Sequence, residues 1–268
     1  MSTPLEFSID LAQQAGAYLM DAFSLSGTAA SRKPDRSFVT QADVAVDNLI
    51  TNAIHANYPG EAVLSEELHT SLSESCPAVW IIDPLDGTTN FSLGLHVWGV
   101  LITRVKDGWP ETSVLYFPHL NELYTAQRGQ GAQLNGSSIH TRLPDPRQPF
   151  GFFSCCSRTH HRYNITVPYK PRILGSAAYS FCMLARGTAL ISFESTPKIW
   201  DIAGAWLMVE EAGGCITHLE GDAPFPLVAG QEFSRSNFPT IGAATPAMLE
   251  TARTQIVPKR QAREAIKI

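Results

Sequence analysis

Residues 80–91 read Trp-Ile-Ile-Asp-Pro-Leu-Asp-Gly-Thr-Thr-Asn-Phe, and no other stretch restricts the fold of this chain so strongly. An apolar run bounded by turn formers predicts a buried strand that stops at the protein surface. Asp83 and Asp86 are then expected at the carboxyl end of that strand. Pro84 fixes its own φ and biases Asp83 toward extended backbone, so the two carboxylates are held by a stiff segment. Like charges this close repel unless a proton or cation neutralises them. Paired carboxylates with a main-chain carbonyl between them, here that of Leu85, suit a hard ion such as Mg²⁺. Gly87 allows close backbone approach, and the amides of Gly87, Thr88 and Thr89 can open a helix whose N-terminus attracts an anion. The plainer alternative is a surface turn with Asp86 or Thr89 as helix cap.

Two further acidic features change that balance. Glu66 and Glu67 follow Glu61-Ala62-Val63-Leu64-Ser65, a strand-like run after the Tyr58-Pro59-Gly60 turn, so a carboxylate at its end can reach the same ion. Much later, residues 200–214 form a well-punctuated helix, with Asp201 placed as N-cap and Gly213 or Gly214 as its stop. Read alone, Asp201 is a cap; read with the other acids, it is the natural ligand of a second ion.

These residues resemble the inositol monophosphatase family, within the wider group of lithium-sensitive, Mg²⁺-dependent phosphatases that includes fructose-1,6-bisphosphatases. Asp83-Pro-Leu-Asp-Gly-Thr-Thr-Asn90 is similar to the family's first signature, and Trp200-Asp-Ile-Ala-Gly through Glu211-Ala-Gly-Gly214 to its second. The likeness runs from about Thr40 to about Thr245. It implies that Glu66, Asp83, the Leu85 carbonyl, Asp86 and Asp201 hold two or three Mg²⁺ ions, and that Gly87 and Thr88 bind the phosphate. It also implies direct attack by an activated water, oriented or deprotonated by Glu66 and Thr88, without a covalent phosphoenzyme. Asp43 matches a family acid that hydrogen-bonds this threonine, although a helix cap is an equal reading. Ser176, Ala177 and Glu194 match positions that line the alcohol side of the pocket, with Glu194 alternatively an exposed loop acid. The implied reaction is hydrolysis of a small polyol or sugar phosphate, myo-inositol monophosphate first, by a homodimer inhibited by Li⁺. Fructose-1,6-bisphosphatase or histidinol-phosphate phosphatase activity is the alternative on the same scaffold. A non-catalytic phosphate- or metal-binding regulator is the alternative from another class, and the complete acid set argues against it.

The likeness breaks down between Phe150 and Leu174, where the family carries a helix. Here Ser157-Arg158-Thr159-His160-His161-Arg162-Tyr163-Asn164 leads directly into a Pro-containing extended run, so that helix is expected to be shortened or lost. The family's basic residue ahead of the first helical acid has three candidates, Arg32, Lys33 and Arg36.

The remaining signals set the fold class. Helical periodicity covers 5–23 and 43–57, and short strands at 97–104, 112–117 and 122–127 predict an antiparallel sheet. Asn135-Gly136 predicts a hairpin turn. A helix over 177–186, a strand over 190–193, a last strand over 240–244, a helix over 246–254 and a charged tail from 258 complete the series. Strands and helices in alternating layers give an α+β, or layered α/β, protein, and the resemblance implies a five-layer αβαβα sandwich. We expect a single domain over 1–268, in two αβ halves of roughly 1–145 and 146–257, with 258–268 as tail. The 20 Lys and Arg against 25 Asp and Glu leave a net charge of -5, with no basic patch for nucleic acid. No apolar run reaches the roughly 18 residues of a membrane span, and no signal sequence precedes the first helix, so a cytoplasmic location is the default. Five cysteines without metal spacing are expected to be reduced; Cys155 and Cys156 are adjacent, a pairing that also allows redox sensitivity. His160 and His161 are read as loop residues.

Overall fold

The computed structural model describes residues 2–24, 31–32, 38–39, 41–72, 76–145 and 151–259. Of the basic candidates ahead of the second helix, Lys33 and Arg36 lie outside the described residues, and Arg32 is described through its backbone only. Residues 260–268 of the expected tail lie outside them too.

The first half of the chain gives α1 (Pro4–Ser24), β1 (Ser31–Arg32), β2 (Phe38–Val39), α2 (Gln41–Asn57), β3 (Ala62–Ser65), β4 (Ser71–Leu72) and β5 (Ala78–Asp86). There follow α3 (Thr88–Ser92), β6 (Gly99–Lys106), β7 (Trp109–Phe117), β8 (Glu122–Gln127), β9 (Gly131–Leu134) and β10 (Ser137–Ile139). The second half gives β11 (Phe152–Cys155), α4 (Thr159–Arg162), β12 (Tyr163–Ile165), β13 (Pro171–Arg172), α5 (Ala177–Ala185) and β14 (Ala189–Glu194). It ends with α6 (Ile199–Glu211), β15 (Cys215–His218), β16 (Gln231–Glu232), β17 (Thr240–Ala243), α7 (Pro246–Gln255) and β18 (Ile256–Pro258).

Strand alternation builds the layers. In the seven-stranded sheet β10-β9-β8-β7-β6-β5-β3, Trp80, Ile82, Val100, Ile102 and Val114 point one way, into a core with Leu11, Ala15, Leu19, Val46, Ile50 and Ile54 of α1 and α2. Val79, Ile81, Leu101, Leu115 and Phe117 point the other way, onto α5 and α6. The opposite side of that helix pair meets the five-stranded sheet β13-β11-β14-β17-β15, where Phe181 and Leu184 of α5 lie against Gly242 of β17. The far face of this second sheet carries Phe153, Ile191, Phe193 and Ile241, covered by Leu249 and Ala252 of α7. The order is therefore helices, sheet, helices, sheet, helix: the expected five-layer αβαβα arrangement.

Local chemistry explains the boundaries. Thr3 and Glu6 exchange hydrogen bonds around the first turn of α1, with Thr3 N to Glu6 Oε2 at 2.8 Å and Glu6 N to Thr3 Oγ1 at 3.2 Å, a capping box. Asn135 and Gly136 both take positive φ, 49° and 78°, as a two-residue hairpin between antiparallel β9 and β10 demands. Gly204 lets α6 come down onto the first sheet, because a Cβ there would lie 2.5 Å from Ser113 Oγ and 2.6 Å from Thr103 Oγ1. The segment expected to lose its helix keeps one turn, α4, which contains His160 and His161. The strand expected to be the last is followed by another: β18, whose final residue Pro258 was expected to begin the tail, pairs antiparallel with β12. Among the described residues no helix is long and apolar enough to cross a membrane.

Candidate active site

Two parallel strand pairs decide where the site lies. β3 and β5 run parallel in the first sheet, and β11 and β14 run parallel in the second. Their carboxyl ends carry Glu66, Asp83 to Asp86, Cys156 to Arg158, and Glu194, and all of these except Pro84 line one cavity of about 340 Å³. Clefts at the carboxyl ends of parallel strands are where layered α/β proteins place ligands, since side chains and loops converge there.

The acids on β5 are deeper than the sequence suggests. The strand does not stop before them; it continues to Asp86, and Asp83 and Asp86 are 1% and 6% exposed. Its ladder with β6 shifts register between Asp83 and Asp86. Pro84, which has no N–H to donate, lies inside that irregularity, so the strand is bent where the acids need to turn inward. Asp83 Oδ1 accepts the Leu85 N–H at 3.0 Å. Asp86 Oδ2 accepts the Ser176 hydroxyl and, at 3.2 Å, the Ala178 N–H.

Asp201 comes from α6, but as the third residue of the helix rather than its N-cap. The cap is Lys198, whose N–H donates to Asp201 Oδ2 at 2.7 Å. A carboxylate at the third position reaches back to the cap amide just as a capping-box glutamate does. Asp83 and Asp201 face each other closely enough that each carboxylate's charge weighs on its neighbours in this cluster. Burial, then the charges of Glu66, Asp86 and Asp201, pushes Asp83 well above the usual carboxylate range. Burial likewise raises Asp86, to about 6, and, reinforced by Glu66 and Asp86, raises Asp201 well above its ordinary value. As the side chains stand, among the described residues no three His, Cys, Asp or Glu side chains surround a single point.

Gly87 follows at φ 87°, where an added Cβ would meet the Val97 carbonyl oxygen at 2.8 Å. It opens α3, a helix of five residues. The Thr88 hydroxyl lies 3.0 Å from the Leu85 carbonyl and 3.3 Å from Asp43 Oδ1. Asp43 is thus not a terminal cap: it lies inside α2, buried, with its carboxylate on Thr88. Four residues on, and so on the same helix face, buried Asp47 accepts the Glu67 N–H at 3.2 Å and helps hold the Glu66 turn. That spacing was legible in the sequence as two acids on one buried helical stripe.

The opposite wall carries Glu194, 4% exposed at the end of β14, and not an exposed loop acid. Burial, followed by the neighbouring Cys156 thiol, raises its pKa well above the ordinary value. Ser176 and Ala177 line the cavity, and Ser176 has structural duties as well: its Oγ caps α5 by accepting the Tyr179 N–H at 3.0 Å while donating to Asp86. Several other cavity residues were given no site role from the sequence. Asn90 ties Val97 O (2.7 Å) to Leu174 O (2.9 Å), closing the floor between the two sheets. Cys156 contacts Ser195 Oγ at 3.1 Å and Thr159 Oγ1 at 3.3 Å; burial acts to raise its pKa, but these hydroxyls hold it below the ordinary thiol value. Its neighbour Cys155 is fully buried and pushed up to about 12 by burial. Arg158, Thr196 and Pro197 complete that rim.

The chain matches the model of the inositol monophosphatase family over residues 1–257. Among curated proteins it is similar to the histidinol-phosphatase of Chlorobaculum parvum, 31% identical over 232 residues that cover 82% of this chain and 88% of that protein. Nus factor SuhB of Escherichia coli K12 is 33% identical over 232 residues, covering 82% and 87% respectively. Among solved structures, an IMPase from Thermotoga maritima superposes with a TM-score of 0.75 at 27% identity, covering 93% of this chain and 95% of the other. With the family model spanning nearly the whole chain, and the first signature and Asp201 of the second lining one cavity, this protein belongs to the inositol monophosphatase family and is a phosphatase, a phosphoric monoester hydrolase.

Proposed function

We propose that the protein is a Mg²⁺-dependent phosphomonoesterase that hydrolyses a small polyol or sugar phosphate, with myo-inositol monophosphate as the simplest substrate that fits. The observation that carries this reading is the pairing of four carboxylates, Glu66, Asp83, Asp86 and Asp201, with the Gly87-Thr88-Thr89 turn on the wall facing buried Glu194. The donor set fits Mg²⁺: it is all oxygen, it includes the Leu85 carbonyl, and its acids hold protons against their ordinary tendency where a cation would serve instead. Glu66, Asp83, Leu85, Asp86 and Asp201 would hold the metal. Bound divalent ions supply Lewis acidity, neutralising the phosphate and easing deprotonation of water.

The chain's own groups do the rest. Backbone amides at 87–89 face the phosphate oxygens, and Gly87 keeps that approach clear of a side chain. Thr88 Oγ1 directs its proton toward Asp43 or the Leu85 carbonyl, which leaves its lone pairs to accept from an attacking water. Glu66 lines the same wall and takes the proton that the water loses. Glu194 accepts from, or donates to, a hydroxyl of the alcohol.

A second reading, histidinol phosphate, is favoured by relatives of that name at 31% and 32% identity. An ammonium on the alcohol would need an ionised Glu194, whereas burial favours the protonated carboxyl and hence a hydroxyl partner. The test is phosphate release by purified protein, with Mg²⁺ and with chelator, from inositol 1-phosphate, fructose 1,6-bisphosphate, histidinol phosphate and a nucleoside monophosphate. Mg²⁺-dependent turnover highest on the polyol and sugar phosphates is expected. A kcat/KM tenfold higher for histidinol phosphate would replace the first reading by the second.

A further inference from the structure

The cavity is acidic except at one point. Five carboxylates line it, Glu66, Asp83, Asp86, Glu194 and Asp201, and among the described residues Arg158 is its only cationic lining residue. Arg158 follows the carboxyl end of β11, beside the carboxyl end of β14, so it belongs to the wall that faces the alcohol and not to the wall that faces the phosphate. Its Nη1 donates to Thr196 Oγ1 at 3.3 Å, which ties the side chain to the rim residue that follows Glu194 by two positions. Among the described residues no carboxylate pairs with it, although an acidic cavity offers several. A guanidinium has five donors in a fixed fork, and a single hydroxyl occupies one of them. Such a group, held beside the alcohol, fits a planar or tetrahedral oxyanion.

We infer that Arg158 forms a second-anion subsite, so that within the polyol and sugar phosphates the preferred substrates carry another phosphate or a carboxylate on the alcohol. This inference rests on the phosphomonoesterase reading for its chemistry and on the Arg158–Thr196 rim for its specificity. The hydrolysed phosphate lies on the Gly87–Thr89 side, and the second anion remains bound to Arg158 without reacting.

The test compares wild type, Arg158→Gln, Arg158→Glu and Arg158→Lys on fructose 1,6-bisphosphate and on inositol 1-phosphate with Mg²⁺. Loss of one charge-assisted contact corresponds to a change on the order of tenfold. Arg158→Gln should raise KM for the bisphosphate about tenfold more than for the monophosphate, with kcat moving equally little on both. Arg158→Glu should widen the gap and Arg158→Lys should narrow it. A glycosidic sugar phosphate bearing a carboxylate, run in parallel, should follow the bisphosphate if any oxyanion suffices; if it follows the monophosphate, the subsite is specific for phosphate. Equal KM changes on all substrates overturn the subsite. If no substrate is turned over, the phosphomonoesterase reading fails; binding of fructose 1,6-bisphosphate by calorimetry still decides the subsite, which is supported by weaker binding to Arg158→Gln and overturned by unchanged binding.

Discussion

Asp83 illustrates how a single residue can be both a cost and a function. It is buried among like charges, so Asp83→Asn should stabilise the metal-free protein, seen as a higher Tm in chelator at pH 7. The same change should lower Mg²⁺-dependent kcat on inositol 1-phosphate at least about 100-fold, because an uncharged amide cannot replace an anionic ligand. A Tm that falls, or an activity that survives, would remove Asp83 from the metal wall. Glu194 makes the complementary prediction. Glu194→Ala should raise KM for inositol 1-phosphate about tenfold and leave KM for p-nitrophenyl phosphate nearly unchanged, since only the polyol presents a hydroxyl to it. The identities of these acids, and their order along the chain, could be read directly. Their burial could not: an Asp-Pro-Leu-Asp run looks like an exposed turn until β6 pairs with Asp83 and Asp86 and β3 pairs with the residues just before them.

Helix α6 joins packing to the site. Its first turn presents Asp201, and Leu207 and Met208 in its third turn are buried in the central core. Gly204 sets how near the helix lies to β6 and β7. Gly204→Ala gains about 1 kcal/mol of helix propensity yet places a methyl on Ser113 and Thr103, and overpacking of that kind costs about 1–3 kcal/mol. The net expectation is a destabilised protein by urea unfolding, with weaker Mg²⁺ dependence because Asp201 moves with the helix. A stabilised variant would show that α6 has room to spare. The helix itself was plain in the sequence, but its start was off by a few residues: a capping-box acid at the third position and a true N-cap both accept the same kind of amide, so the residue type alone does not separate them. The one-turn α4 was foreseen as a shortened helix, whereas β12 and its partner β18 were not. Strands of three residues whose partners lie about ninety positions away have no local period to reveal them.

Across the whole molecule, the buried acids couple folding to protonation and to metal. In the metal-free protein a raised folded-state pKa means that the folded form binds protons more tightly than the unfolded chain. The stability this confers is complete below the unfolded value of 3.8 and is lost as pH rises through about 6 for Asp86, with Asp83 and Asp201 acting in the same direction. Denaturation in chelator should therefore show stability falling from about pH 4 upward. Mg²⁺ should reverse this, raising Tm more at pH 7.5 than at pH 5, where protons compete for the same oxygens. Equal Mg²⁺ stabilisation at the two pH values would mean that the ion binds elsewhere. What the sequence determined by itself was chemistry and class: the clustered acids, the glycine and threonine beside them, the alternation of strands and helices, and the family they resemble. Those follow from residue type and short spacing. Only the tertiary structure decided that two parallel strand pairs from different sheets end at one cavity, that Asn90 closes its floor, and that Arg158 is the one cation lining it among the described residues. Those relations join residues more than a hundred positions apart, and such distances are set by layer packing, which no local pattern encodes.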